Sequence, residues 1–127
     1  MTAGPEQRAA DRGVVLLVCA DLLTGGPLVQ AVRAAGFTPK RALSLAKADP
    51  AGAAGVLLDL SLPGAAAWLS DPPTKLPPTL AFGPHVLAEL LKTARDAGRG
   101  PVLTRSRLAD GVPAWLATLP PAATTAD

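Results

Sequence analysis

Apolar and polar positions along this chain spell strand and helix in turn. Val14 to Val18 is an unbroken apolar run rich in β-branched residues, the pattern of a strand buried on both faces of a parallel sheet. TGGP follows as a turn, with Pro27 suited to a first helical position, and Leu28, Val32 and Ala35 then recur at helical spacing. Gly36 stands where a helix C-terminal cap belongs. Phe37 to Arg41 reads as a weaker second strand, and Leu43 to Ala48 as a short helix stopped by Asp49-Pro50.

The second buried strand is Val56 to Leu60 (VLLDL). Residues 65–70 offer one or two helical turns before DPPTKLPP, whose four prolines remove donors and fix φ. Thr79 to Phe82 predicts a fourth strand. From Pro84 to Ala97, the positions Leu87, Leu90, Leu91 and Ala94 make an i, i+3, i+4, i+7 stripe, with Glu89, Lys92 and Asp96 off it and Gly98 ending it. Pro101 to Leu103 is a short last strand, and Leu108 to Leu119 a short, proline-interrupted last helix. No internal repeat is evident.

Strands alternating with helices imply one parallel sheet covered on both faces. Five of them in this length fit a flavodoxin-like three-layer α/β sandwich with strand order 2-1-3-4-5, whose site lies at the carboxyl ends of the strands. That order puts Asp21, Asp59 and the segment Gly83–His85 at one edge. The domain is expected over residues 13–118, with disordered tails at 1–12 and 119–127.

Composition narrows the function classes. The apolar weight falls on Ala, Val and Leu, with two Phe, two Trp and no Tyr, so the core rests on many small aliphatic contacts. A net charge of +2 is too small and scattered for a nucleic-acid groove; the densest basic spots, Lys40-Arg41 and Arg99, Arg105 and Arg107, read as solvated faces. The single cysteine, Cys19, excludes an internal disulfide and suits a reducing compartment. VVLLVCADLL is cut by Asp21, far short of a membrane span, and the polar first twelve residues show no secretory signal. The expectation is a cytoplasmic protein with neither nucleic acid nor membrane as partner.

Several segments, taken in order, resemble the receiver domain of bacterial response regulators. VLLDLSLPG is similar to the phosphoacceptor motif, an apolar strand ending in Asp with Pro four and Gly five residues later: Asp59, Pro63 and Gly64. AAGF at Ala34–Phe37 resembles the end of the first receiver helix, and LPPTLAFG the proline-led fourth strand. ARDAG followed by PVLTRS resembles the fourth helix and fifth strand. The ordering of these landmarks over residues 14–118, more than any one motif, carries the resemblance. It implies a non-enzymatic module of two-component signal transduction.

Receiver chemistry, as that resemblance implies it, needs two acids after the first strand that hold Mg²⁺ with the phosphoacceptor. It also needs a Thr or Ser ending the fourth strand and a Lys, usually before Pro, ending the fifth. The carboxylate nucleophile and the phosphoryl group are both anionic, so transfer needs cations between them. Here Cys19, Ala20 and Asp21 follow the first strand, and two registers are open. If Gly36 marks the usual helix length, the acid pair maps to Cys19 and Ala20 and both acids are gone. If the helix is one residue short, Asp21 survives. The hydroxyl position falls on Gly83 and the Lys-Pro position on Arg105-Ser106, an exchange of a compact ammonium for a planar fork. Only Asp59 is clearly kept.

Asp59 is read first as a relic that accepts backbone N–H groups and second as a working phosphoacceptor. Asp21 is read as a cap on the first helix, with a metal role only beside Asp59. Cys19 is read as a small core residue and His85 as a first-turn surface residue, its alternative being a pH-sensitive or partner-binding group facing Asp59. Trp68 and Trp115 read as core cover, Trp115 alternatively as a partly exposed partner anchor. The leading expectation is a stand-alone degenerate receiver, its remnant pocket being Asp21, Gly83, His85 and Arg105, that binds a partner protein without metal or cofactor. The expected contact face is the family's usual output surface, made by the fourth and fifth elements. The rivals are a phosphorylatable receiver, with Mg²⁺ on Asp21 and Asp59, and a small flavodoxin-like enzyme or nucleotide binder. TGGP lacks the spacing and the Lys of a phosphate-binding loop, which disfavours the last.

Overall fold

In the computed structural model, which describes residues 12–72 and 75–120, five parallel strands form one sheet in the order β2-β1-β3-β4-β5. The strands are β1 (Val14–Val18), β2 (Thr38–Ala42), β3 (Gly55–Asp59), β4 (Thr79–Gly83) and β5 (Val102–Thr104). Between and after them lie α1 (Leu22–Ala34), α2 (Ala65–Ser70), α3 (Ala88–Ala97) and α4 (Leu108–Leu116). The order 2-1-3-4-5 expected from the pattern of buried strands is the order observed. The expected tails fall largely outside the described residues; of those described, Arg12 donates to the carbonyls of Ala35 and Leu119, and Leu119 is buried.

Alternation along each strand divides the core in two. Val15, Leu17, Leu57, Leu80 and Phe82 point to the face covered by α1 and α4, where Leu28, Val32, Val112 and Leu116 meet them. Leu16, Val18, Val56, Leu58 and Ala81 point to the other face, where Leu69 of α2 and Leu91 and Ala94 of α3 close over them. Strands β3 and β4 are buried at every position, which is why their sequences show no polar alternation.

Four elements depart from the sequence reading. Helix α1 begins at Leu22, not at Pro27, because Asp21 caps it, its side chain accepting from the Leu23 N–H. Pro27 therefore lies inside the helix, and the carbonyl it leaves unpaired is that of the exposed Leu23. Leu43 to Ala48 forms only a 3-10 turn at Leu45–Lys47, too short and too exposed to make a helix. Helix α3 starts at Ala88, after a turn in which Leu87 N–H reaches the Pro84 carbonyl, so Leu87 and Leu90 are only half-buried while Leu91 and Ala94 are buried. Helix α4 runs unbroken through Pro113, and Trp115 on it is buried, not a partly exposed anchor. Its ring packs where a Cβ on Gly55 would stand, 2.9 Å away, so a bare glycine opens β3.

Candidate functional site

Asp59 closes β3 at the carboxyl edge of the sheet and is 2% exposed. One carboxylate oxygen, Oδ1, accepts from the Ser61 N–H at 2.9 Å and from the Ser61 hydroxyl at 2.6 Å. The other, Oδ2, accepts from the Cys19 thiol at 3.5 Å. A buried carboxylate requires such donors to remain charged without a counter-ion. All three come from the protein.

Cys19 follows β1 and is fully buried, its N–H bonded to the Ala42 carbonyl. Its thiol is pushed up from the usual 9.0 to about 11, chiefly by burial and also by the neighbouring Asp59 carboxylate, against the lowering effect of a second thiol contact, to the Asp21 carbonyl. It is a protonated donor at neutral pH, not a nucleophile. The reading of Cys19 as a small core residue agrees with this burial, but its bond to Asp59 was not foreseen.

Asp21 does not join Asp59. Its Oδ2 accepts from the Thr24 hydroxyl at 2.8 Å and its Oδ1 from the Leu23 N–H at 3.0 Å, bonds that hold its carboxyl below the usual carboxylate range. Arg105 lies beside it, Nη2 to Oδ2 3.9 Å, an ion pair without a hydrogen bond. The residue level with Asp59 on its own side of the sheet is therefore Cys19, one strand away, and Asp21 is spent on the helix.

The structure shifts one assignment. In the β3–β4 ladder Asp59 is level with Phe82, and Phe82 belongs to the same core face. Gly83 points the other way: a Cβ there would stand 3.5 Å from Leu60 and 3.8 Å from Leu91. So the position that faces across from Asp59 is a fully buried phenylalanine ring, not the bare glycine Gly83. Two adjacent prolines, Pro77 and Pro78, leave the register of this strand open by one residue in the sequence.

His85 is exposed in the turn before α3, and the hydrogen bonds to the Asp59 side chain among the described residues come from Cys19 and Ser61, not from it. The residue that the sequence reading misjudged is Arg41, near the end of β2: expected on a solvated face, it is partly buried and turned inward. Its Nη2 donates to the Cys19 carbonyl at 3.0 Å, while its Nε is buried without a partner among the described residues. The guanidinium lies against α1 at Gly25, where a Cβ would come within 2.6 Å of it. The sequence read Gly25 as part of a turn, so the helical glycine that admits this side chain emerges only in the structure.

A divalent cation of the receiver type needs several oxygen ligands converging on one point. Among the described residues no group of three or more His, Cys, Asp or Glu is disposed to hold a metal ion. With Asp59 engaged by Ser61 and Cys19 and Asp21 engaged by α1, the residues present do not fit Mg²⁺. Nor is any described helix long and apolar enough to cross a membrane.

Comparison with known proteins places the fold. No family model and no curated protein matches the chain. Among solved structures, a protein assigned as a response regulator of Chloroflexus aurantiacus J-10-fl is similar with a TM-score of 0.63 at 23% identity, over 83% of this chain and 98% of that one. A response regulator receiver domain of Rhodospirillum rubrum is similar with a TM-score of 0.59 at 16% identity, over 85% and 97%. The architecture is that of response-regulator receiver domains: five parallel strands in this order with helices on both faces. At these identities the likeness is one of fold, and function rests on the site.

Proposed function

We propose that this chain is a receiver-fold signalling module that acts through protein contacts, without enzymatic activity and without Mg²⁺-dependent phosphorylation at Asp59. The observation that carries the reading is that both Asp59 oxygens accept from protein donors, with the Cys19 thiol in the place where an acid would help hold a cation. Phosphoryl transfer to a carboxylate brings two anions together, and among the described residues no cluster of three or more His, Cys, Asp or Glu gathers to hold the cation that would offset their repulsion. The fully buried Phe82 supports the same reading, because a phosphoryl group on Asp59 would find no hydroxyl across the strand to draw inward. The likeness to response-regulator structures supports signalling as the setting. Incubation with acetyl phosphate and Mg²⁺, followed by intact-mass measurement, tests it. The expected result is no gain of one phosphate; a stable gain that disappears in Asp59→Asn contradicts it.

A further inference from the structure

The outward faces of the helices differ in kind. On α3 the exposed residues include Glu89, Lys92, Arg95 and Asp96, with Lys92 and Asp96 paired at 3.0 Å, the pattern of a helix that faces water. On α4 the exposed positions that line the space beside α1 are Ala109 and Pro113. Between α1 and α4 runs an open groove of about 300 Å³, walled by Leu23, Pro27, Leu28, Leu108, Val112 and Pro113. At its carboxyl-edge end Leu23 projects with 88% of its surface exposed, and Leu22 beside it is 72% exposed. A soluble surface seldom sets a projecting leucine beside an apolar hollow without a use for both.

We infer that the α1–α4 groove is the interface of a two-fold homodimer, in which Leu23 of each copy enters the groove of the other. In a two-fold contact a surface must complement itself, so each feature needs its counterpart on the same patch. This patch supplies a knob and a hollow. It also supplies opposite charges: Arg105 and Asp21 stand together at the same end of the groove, 3.9 Å apart and about two-fifths exposed, too far for a hydrogen bond between them. A two-fold axis near that end brings Arg105 of one copy to Asp21 of the second, replacing a loose pair within the chain with one across the contact. A strongly acidic or strongly basic partner would meet a like charge at this rim; a second copy set about that axis presents the opposite charge to each. This interface differs from the output surface of the fourth and fifth elements expected from the resemblance, and it names a partner for the protein-contact reading, on which it rests.

Sedimentation equilibrium of the full chain from micromolar to millimolar concentration tests it, with the Leu23→Glu, Arg105→Glu and Lys92→Glu variants alongside. The expected wild-type result is reversible association to twice the 12.8 kDa chain mass. Leu23→Glu, a substitution favoured in a first helical turn, should keep the melting temperature and abolish the dimer. Arg105→Glu should weaken it about tenfold or more by removing the crossed pair. Lys92→Glu, on α3, should leave it unchanged. A wild type that stays monomeric overturns the inference and leaves the groove to a different chain or a small apolar ligand; so does a dimer that survives Leu23→Glu or fails with Lys92→Glu. A dimer that nevertheless takes phosphate on Asp59 would sink the reading of an unphosphorylated module while leaving the interface standing.

Discussion

A buried aspartate is defined by what donates to it. Ser61 and Cys19 donate to Asp59, so each of these side chains offsets part of the cost of burying that polar group. Ser61→Ala removes the 2.6 Å hydroxyl bond and leaves the backbone N–H in place. Its expected cost is about 1.5–3 kcal/mol in chemical denaturation, the range for a hydrogen bond to a charged group. For Cys19 the folded thiol, at about 11, lies above its unfolded value of 9.0, so folding favours the protonated form. Its contribution is complete below pH 9 and is lost as pH rises toward 11. Wild type should therefore lose stability across that window more steeply than Cys19→Ala, and the native thiol should react with a disulfide reagent near pH 8 only at the rate of unfolding. Equal pH slopes for the two proteins would contradict the assignment. Asp59 and the capping use of Asp21 were legible in the sequence because a carboxylate at a strand end or helix start has few local options. The Cys19–Asp59 bond was not, since it joins residues 40 positions apart, and the place of Phe82 turned on a one-residue register.

Helix α1 is set by competition between a cap and a proline, and the cap prevails. Asp21 satisfies the first donors, so the helix begins five residues before Pro27 and carries Gly25 and Gly26 within it. Gly25 ordinarily weakens a helix by about 1 kcal/mol relative to alanine. Here its missing Cβ admits the Arg41 guanidinium, which ties β2 to the end of β1 through the Cys19 carbonyl. Gly25→Ala should thus lower the denaturation midpoint in wild type and raise it in an Arg41→Ala background. The same sign in both backgrounds would show that the two do not interact. On α4, Trp115→Ala should cost about 3–5 kcal/mol, because the buried ring fills the space that Gly55 leaves on β3. A change within half a kcal/mol would mean that the ring is not core. Periodicity marked the end of α3 well but overextended its start; the sequence also overextended the turn at Leu45–Lys47, and it read α4 three residues too long and interrupted at Pro113.

For the molecule as a whole, the architecture was readable because buried parallel strands leave unmistakable apolar runs and the crossovers follow one hand. The site was readable only as a set of departures: residue types named the missing groups, while coordinates were needed to say what occupies their places. What occupies them is protein. The scaffold keeps its carboxyl edge, with Asp59 at the centre, Arg41 and Cys19 on one side and Arg105 drawn off to Asp21 on the other. On this account the edge is a closed hydrogen-bonded surface and the α1–α4 face is where the chain meets another. The most direct test is titration with Mg²⁺ followed by amide chemical shifts, referenced to a monovalent salt at equal ionic strength. The account predicts no saturable movement at Ala20, Leu60 or Ser61 through millimolar Mg²⁺. Shifts that saturate there, and vanish in Asp59→Asn, would contradict it.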